Sequence, residues 1–140
     1  MQVIKGNIFN SEYLEQKDTM LLHCISSDYA MGYGFAKEIE NRYHIRDYLM
    51  MVGKHTCPDI IPVDNIINII TTDNYWHRGT YEKFNVGLIL AREYCHEKEI
   101  TRLVMPAIGS GYSRLDWESC YKNIKYLIDE FDIDCIMYKL

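Results

Sequence analysis

Short apolar runs alternate with longer amphipathic segments along this chain, and this alternation is the feature that most restricts its fold. The runs MLLHCI and NIINII are apolar enough to form buried strands. The longer segments repeat apolar residues every three or four positions, as amphipathic helices do. Strands that alternate with helices predict an α/β fold.

The same pattern places the individual elements. The predicted strands are residues 2–5, 19–25, 65–71, 103–105 and 133–138, and the predicted helices are residues 34–43, 81–99 and 115–131. In the second helix Phe84, Leu88, Ala91 and Cys95 share one face. Ser113 lies three residues before Asp116, which resembles a capping box and predicts that the last helix begins close to this serine.

Length, charge and cysteine usage restrict the class of protein. A chain of 140 residues with 48% hydrophobic residues predicts a single domain over residues 1–140. A net charge of −5 argues against a long nucleic acid as partner, although backbone amides could still hold a small anion. The five cysteines form no CxxC pair, and the histidines lack metal-ligand spacing. We therefore expect no metal ion and no cofactor.

The termini and hydropathy indicate the compartment. No basic segment followed by an apolar run opens the sequence, and no stretch approaches about 18 apolar residues. We expect an intracellular, cytoplasmic protein that has no membrane partner and is a monomer.

Two glycine loops carry the functional signal. The segment AMGYGFA, residues 30–36, and the segment GSGYS, residues 109–113, each follow a predicted strand and precede a predicted helix. Glycine has no Cβ, so such loops leave backbone amides open to an anion, or they simply make tight turns. The first loop has Lys37 at the third glycine position of GxGxxG, and no GxxxxGK[ST] motif occurs, which excludes both common dinucleotide and P-loop motifs.

Several stretches together resemble one family. KGNIF, HCISSDYAMGYGFA, TYEKF, MPAIGSGYSRLDWE and the ending IMYKL are similar to macrodomains, most closely to the terminal ADP-ribose protein glycohydrolase branch. The resemblance implies a three-layer α/β/α fold with a mixed central sheet. It also implies that ADP-ribose, free or attached to a protein, binds in a cleft at the carboxyl ends of the strands, with the diphosphate between the two glycine loops.

The resemblance also assigns residues to the ligand. Asn7 stands where macrodomains usually carry an aspartate for the adenine amino group, unless it is simply a turn asparagine. Ser26 faces the distal ribose, and Tyr112 covers this ribose or a phosphate, or is a surface lid. Ile8, Pro106, Ile108 and Leu140 line the adenine side. The other cleft residues are Met31, Gly32, Gly34, Phe35, Ala36, Thr71, Gly109, Ser110, Gly111 and Ser113.

The catalytic positions depart from the branch. Thr72 stands where the branch has its nucleophilic lysine, and Ser113 stands where it has an aspartate. A threonine hydroxyl cannot replace the primary amine that imine formation needs. Ser113, Asp73 and Asp28 are the weak catalytic candidates, with both aspartates also interpretable as loop acids that cap turns.

Three function classes follow from these residues. The first is a binding module for ADP-ribose or a related nucleotide, which needs only the glycine loops and Asn7. The second is an ADP-ribosyl hydrolase, acting on modified protein or on ADP-ribose 1''-phosphate without a catalytic lysine. The third is a protein-interaction domain that binds no nucleotide. This class does not explain why two glycine loops expose their backbone amides.

Overall fold

The computed structural model describes residues 1–108 and 114–140. Its strands are β1 (Gln2–Lys5), β2 (Thr19–Ser26), β3 (Asp59–Val63), β4 (Ile66–Thr72), β5 (Arg102–Pro106) and β6 (Asp134–Lys139). Its α-helices are α1 (Gly34–Tyr43), α2 (Arg46–Val52), α3 (Tyr81–Glu97) and α4 (Trp117–Leu127). Short 3₁₀ turns at Ile8–Asn10, Glu12–Glu15 and Asp129–Phe131 complete the elements.

The six strands form one mixed sheet in the order β1-β6-β5-β2-β4-β3. All neighbouring strands run parallel except β3, which is antiparallel to β4 at one edge. The strands β2 and β4 lie inside the sheet, and nearly all of their residues are buried. This arrangement explains why they have apolar runs rather than alternating patterns. The mixed α/β sheet predicted from the resemblance is confirmed.

Helices cover both faces of the sheet. On one face α3 and α4 pack against alternate strand residues such as Leu22, Ile69 and Met105. On the other face α1 and α2 pack against the intervening residues, including Leu21 and Ile70. The predicted helix face of Phe84, Leu88, Ala91 and Cys95 is fully buried in the first of these layers.

Three elements differ from the predictions. The strand β3 and the seven-residue helix α2 were not predicted from the sequence. The last helix begins at Trp117, and its N-cap is Asp116, whose side chain accepts a hydrogen bond from the Ser119 amide at 3.1 Å. The helix thus begins two residues after the predicted start at residue 115, and Asp116 rather than a capping box from Ser113 provides the capping oxygen. Ser113 lies outside the described residues.

Candidate functional site

The carboxyl ends of the parallel strands meet at one edge of the sheet, and two neighbouring pockets open there. The start of α1 lies between them, since Tyr33 lines one pocket and Gly34 the other. Gly34 has φ +57°, a left-handed conformation that glycine adopts without strain. Within the described chain, no side chain caps this helix end, so its first amides are left for another acceptor.

The larger pocket lies at the ends of β1, β5 and β6, and we call it the aromatic pocket. It has a volume of about 460 Å³. It brings together the predicted residues Asn7, Ile8, Gly34, Phe35, Pro106 and Leu140. The Phe9 and Phe35 rings stack in its wall, 5.4 Å apart and 9° from parallel. The Arg42 guanidinium carbon lies 4.0 Å from the centroid of the Phe9 ring, a cation–π contact that helps to hold this ring in place.

The smaller pocket lies at the ends of β2 and β4, and we call it the hydroxyl pocket. Its volume of about 70 Å³ admits only the end of a ligand. It brings together the predicted residues Ser26, Met31, Gly32, Ala36 and Thr71, with Thr72 beside them. Its rim is aromatic, because Tyr33 stacks on Tyr75 at 5.6 Å.

The carboxylate of Asp28 holds the first glycine loop together. Its Oδ1 accepts hydrogen bonds from the Ser26 hydroxyl at 2.5 Å and from the Ala30 amide at 3.1 Å. Its Oδ2 accepts from the Tyr75 amide at 3.1 Å. Both oxygens are thus engaged, in the manner of a loop acid that caps a turn.

Asp73 lies outside both pockets. Its carboxylate is 3.8 Å from the Lys83 ammonium, and it lines surface depressions on the far side of the Asp28 loop. Thr72 is 7% exposed and reaches the hydroxyl pocket, so adjacent residues point to different environments.

Two residues predicted for the adenine side have local structural partners. The Asn7 Oδ1 accepts a hydrogen bond from the Phe9 amide at 3.0 Å and caps the first 3₁₀ turn, as a turn asparagine does, although Asn7 also lines the aromatic pocket. Ile108 is 4% exposed and packs in the core layer beneath α3 and α4. Among the described residues it lines neither pocket.

The second glycine loop lies outside the described residues. It contains Gly109, Ser110, Gly111, Tyr112 and Ser113. Their assignment to the ligand remains a prediction.

A buried histidine lies beneath the site. The His23 Nε2 is 2.5 Å from the Asn68 Oδ1, and the Asn68 amide donates to the Ile61 carbonyl at 2.9 Å. Because Asn68 Oδ1 is an acceptor, Nε2 carries the ring proton and Nδ1 is bare, without a partner in the described chain. Burial lowers the pKa of His23 to about 4, so the ring is neutral near pH 7. It packs edge to face with Phe35 of the aromatic pocket wall, with ring centroids 5.7 Å apart.

Sequence reasoning missed several lining residues. Glu38 lines the aromatic pocket one helical turn after Gly34, and that i, i+4 spacing is a signal that could have found it. Lys139 precedes Leu140 and lines the same pocket. His77 lines the hydroxyl pocket. No local sequence pattern predicts this position of His77, because it lies in the irregular segment after β4.

No helix in the described ranges has the length and apolar character required to cross a bilayer. Within the same ranges, no group of three or more histidine, cysteine or acidic residues is placed to bind a metal ion.

Comparison with known proteins gives a consistent set of relatives. No family model matches the chain. The ADP-ribose glycohydrolase OARD1 of Homo sapiens is 30% identical over 98% of this chain and 90% of its own length, and that of Bos taurus is 31% identical over the same shares.

Solved structures show the same fold. The macrodomain of Mycobacterium tuberculosis DarG has a TM-score of 0.80 at 21% identity, covering 98% of this chain and 97% of its own. Thermosipho africanus DarTG in complex with ADP-ribose has a TM-score of 0.78 at 16% identity, covering 99% of this chain and 42% of its own.

Proposed function

Because this chain belongs to the macrodomain family, we propose that it binds ADP-ribose, or a nucleotide or protein that carries an ADP-ribosyl group. The observation that carries the proposal is the pair of pockets on either side of the α1 N-terminus. ADP-ribose has the same division, with a nucleoside at one end, a ribose at the other and two phosphates between them.

The aromatic pocket suits the adenosine end. Phe9 and Phe35 supply flat apolar surface, and Asn7 and Glu38 bring polar groups to the same wall. Pockets of this kind, mostly apolar with a few placed polar groups, are typical of small-molecule sites. The hydroxyl pocket suits the end of the distal ribose, because Ser26, Thr71 and Thr72 offer hydroxyl groups for hydrogen bonding.

The α1 N-terminus suits the diphosphate. Its first amides lack a capping side chain in the described chain, and the helix dipole favours an anion there. The chain needs no cluster of lysine or arginine for this contact, which agrees with its net charge of −5. The resemblance assigns residues 109–113 to the diphosphate as well, and that assignment is part of the proposal. The names of the relatives support this ligand class, since OARD1 is an ADP-ribose glycohydrolase and the DarTG structure contains ADP-ribose.

Calorimetric titration with ADP-ribose tests the proposal, with Gly32→Leu as the diagnostic variant. A Cβ at Gly32 would meet only the Ala30 carbonyl oxygen, at 3.9 Å, so a leucine enters the hydroxyl pocket without disturbing the backbone. We expect at least about a tenfold loss of affinity. Asn41→Leu, at an exposed position of α1 away from the pockets, is the matched control and should change affinity less than about twofold. Unchanged affinity in Gly32→Leu would reject this placement of the ligand.

Hydrolysis of an ADP-ribosyl bond is the second candidate function. The names of the 30% identical relatives favour it, and so does the position of His77 beside Thr72 in the hydroxyl pocket. Asp28 has both oxygens engaged and Asp73 lies outside the pocket, so neither is placed as a general base. An imidazole is the most common general base in enzymes and could activate a water there.

Release of ADP-ribose from a modified protein distinguishes the two functions. A hydrolase should release it, and His77→Gln should abolish release while binding persists. A binding module should show no release with either protein. The double variant Thr72→Lys, Ser113→Asp would then test whether restoring the amine and the carboxylate of the related branch is sufficient for turnover.

A further inference from the structure

The two walls of the hydroxyl pocket come from separate parts of the chain. One wall is the loop after β2, and the other is the segment after β4, which contains Tyr75 and His77. The two strands are paired as far as Ser26 and Thr72, with a shift in register at Ile25/Ser26. Beyond that point the sheet no longer holds the walls together, and other contacts must do so.

Asp28 provides such a contact, although its own side chain lines a neighbouring depression rather than the hydroxyl pocket. Its Oδ1 accepts from the Ser26 hydroxyl and the Ala30 amide within its own loop, and its Oδ2 accepts from the Tyr75 amide of the other wall. Hydrogen bonds to an ionised carboxylate are stronger than neutral ones. One side chain therefore links both walls.

The link acts on the end of a loop that is anchored at its start. Tyr29 is 3% exposed, its hydroxyl donates to the Gly53 carbonyl at 2.7 Å, and its carbonyl accepts from the Arg46 Nε at 2.6 Å. Asp28 instead holds the Ala30 amide and the Tyr75 amide, and Tyr75 presents its ring to Tyr33 directly beside the bonded amide. Loss of the carboxylate would therefore leave the loop anchored at Tyr29 but release the Ala30 and Tyr75 amides beside the pocket.

Asp28 also fixes the chemistry of Ser26. The Ser26 hydroxyl donates its hydrogen bond to the Asp28 carboxylate, so only the lone pairs of the Ser26 oxygen remain for a ligand in the pocket. Such an oxygen accepts a hydrogen bond from a ligand hydroxyl and has no proton to give to a phosphate oxygen. A ribose hydroxyl fits this environment, whereas a terminal phosphate does not.

We propose that Asp28 is a positioning residue that preorganises the hydroxyl pocket for the distal ribose, and that it does not act as a catalytic acid or base. This inference rests on the proposed binding of ADP-ribose. It predicts that the contribution of Asp28 appears only with ligands that extend past the diphosphate.

Paired titrations with ADP-ribose and ADP test the inference, because ADP lacks the distal ribose and ends in a phosphate with one more negative charge, and each variant is compared with the wild-type protein on the same ligand. In Asp28→Ala we expect ADP-ribose to bind about tenfold more weakly or worse, and ADP to bind within about twofold of the wild-type protein. Asp28→Asn keeps the shape but replaces one acceptor oxygen by an NH₂ group, so its loss should be intermediate. Asp64→Asn, in the β3–β4 turn, is the matched control for replacing an aspartate by its amide.

The outcomes separate the inference from the function on which it rests. If wild-type protein does not bind ADP-ribose, the proposed function fails. If it does bind, but Asp28→Asn weakens both ligands equally or neither of them, the positioning role is wrong and the function stands. Asp28→Asn gives this answer even where Asp28→Ala fails to fold, since circular dichroism and the ADP titration report on folding independently of the distal ribose.

Discussion

The buried His23 should make the stability of this protein fall steeply in mild acid. The pKa of His23 is lowered by burial from 6.5 to about 4, with a smaller opposing effect from the Asn68 hydrogen bond. The unfolded chain therefore binds a proton more readily than the folded one. The stabilisation is fully present above pH 6.5 and is lost as the pH falls from 6.5 towards 4.

The magnitude follows from the distance between the two pKa values. At about 1.4 kcal/mol per pH unit, the interval from 6.5 to 4 corresponds to about 3 kcal/mol of unfolding free energy. That is a large part of the 5–15 kcal/mol that is typical of a folded domain. Most of the loss should occur between pH 6.5 and about pH 4.5.

Urea unfolding between pH 7.5 and 4.5 measures this loss, with His23→Gln as the comparison. Glutamine does not titrate in this range and keeps an N–H donor for Asn68 Oδ1. We expect the wild-type protein to lose about 2–3 kcal/mol more than the variant over this interval. His44→Asn replaces an exposed histidine at a left-handed position and controls for the removal of an imidazole from the surface. Equal losses in wild type and His23→Gln would refute the reasoning.

Three further predictions concern the scaffold. Gly87→Ala should destabilise the protein by about 1–3 kcal/mol in thermal unfolding, because its Cβ would collide with the stiff Ile69 side chain; a Tm at or above that of wild type would contradict this. Asp116→Ala should cost about 1 kcal/mol through loss of the α4 N-cap, while Asp116→Asn should cost far less; equal costs would show that the cap is not responsible. Iodoacetamide should label the buried thiols only after unfolding, since burial raises the pKa of Cys95 to about 12, that of Cys120 to about 11, and that of Cys135 as well. Native labelling at rates equal to those of Cys24 would contradict it.

Much of the fold was predictable because its main elements carry strong local patterns. The helix at residues 34–43 was predicted with its observed bounds, since Gly34 marks its start and the apolar spacing continues to Tyr43. The edge strand β3 was missed because Asp59–Val63 contains Pro62, which weakens a strand signal. The helix α2 was missed because it has only seven residues and leaves Met51 86% exposed, so its pattern is not amphipathic.

Much of the lining was predictable because the resemblance joins remote stretches of the chain. It names Asn7, Pro106 and Leu140 together, and these residues line the aromatic pocket with Gly34 and Phe35 of the first glycine loop. His77 and Lys139 line the pockets from segments remote in sequence, and the spacing of neighbouring residues in the sequence does not reveal such contacts. The linking role of Asp28 was likewise not predictable, since the Tyr75 amide that it binds lies 47 positions along the chain.

The strand order indicates which of the two pockets forms first during folding. The hydroxyl pocket is built from β2, β4 and α1, which lie close together in the first half of the chain. The aromatic pocket also needs β1 and β6, and Gln2 is paired with Ile136 across nearly the whole sequence. Contacts between distant residues close late during folding, because the loop entropy must be overcome first. We therefore expect the aromatic pocket, the proposed nucleoside site, to form last during folding. Binding of a nucleotide during refolding would then report the docking of the final strand rather than the initial collapse.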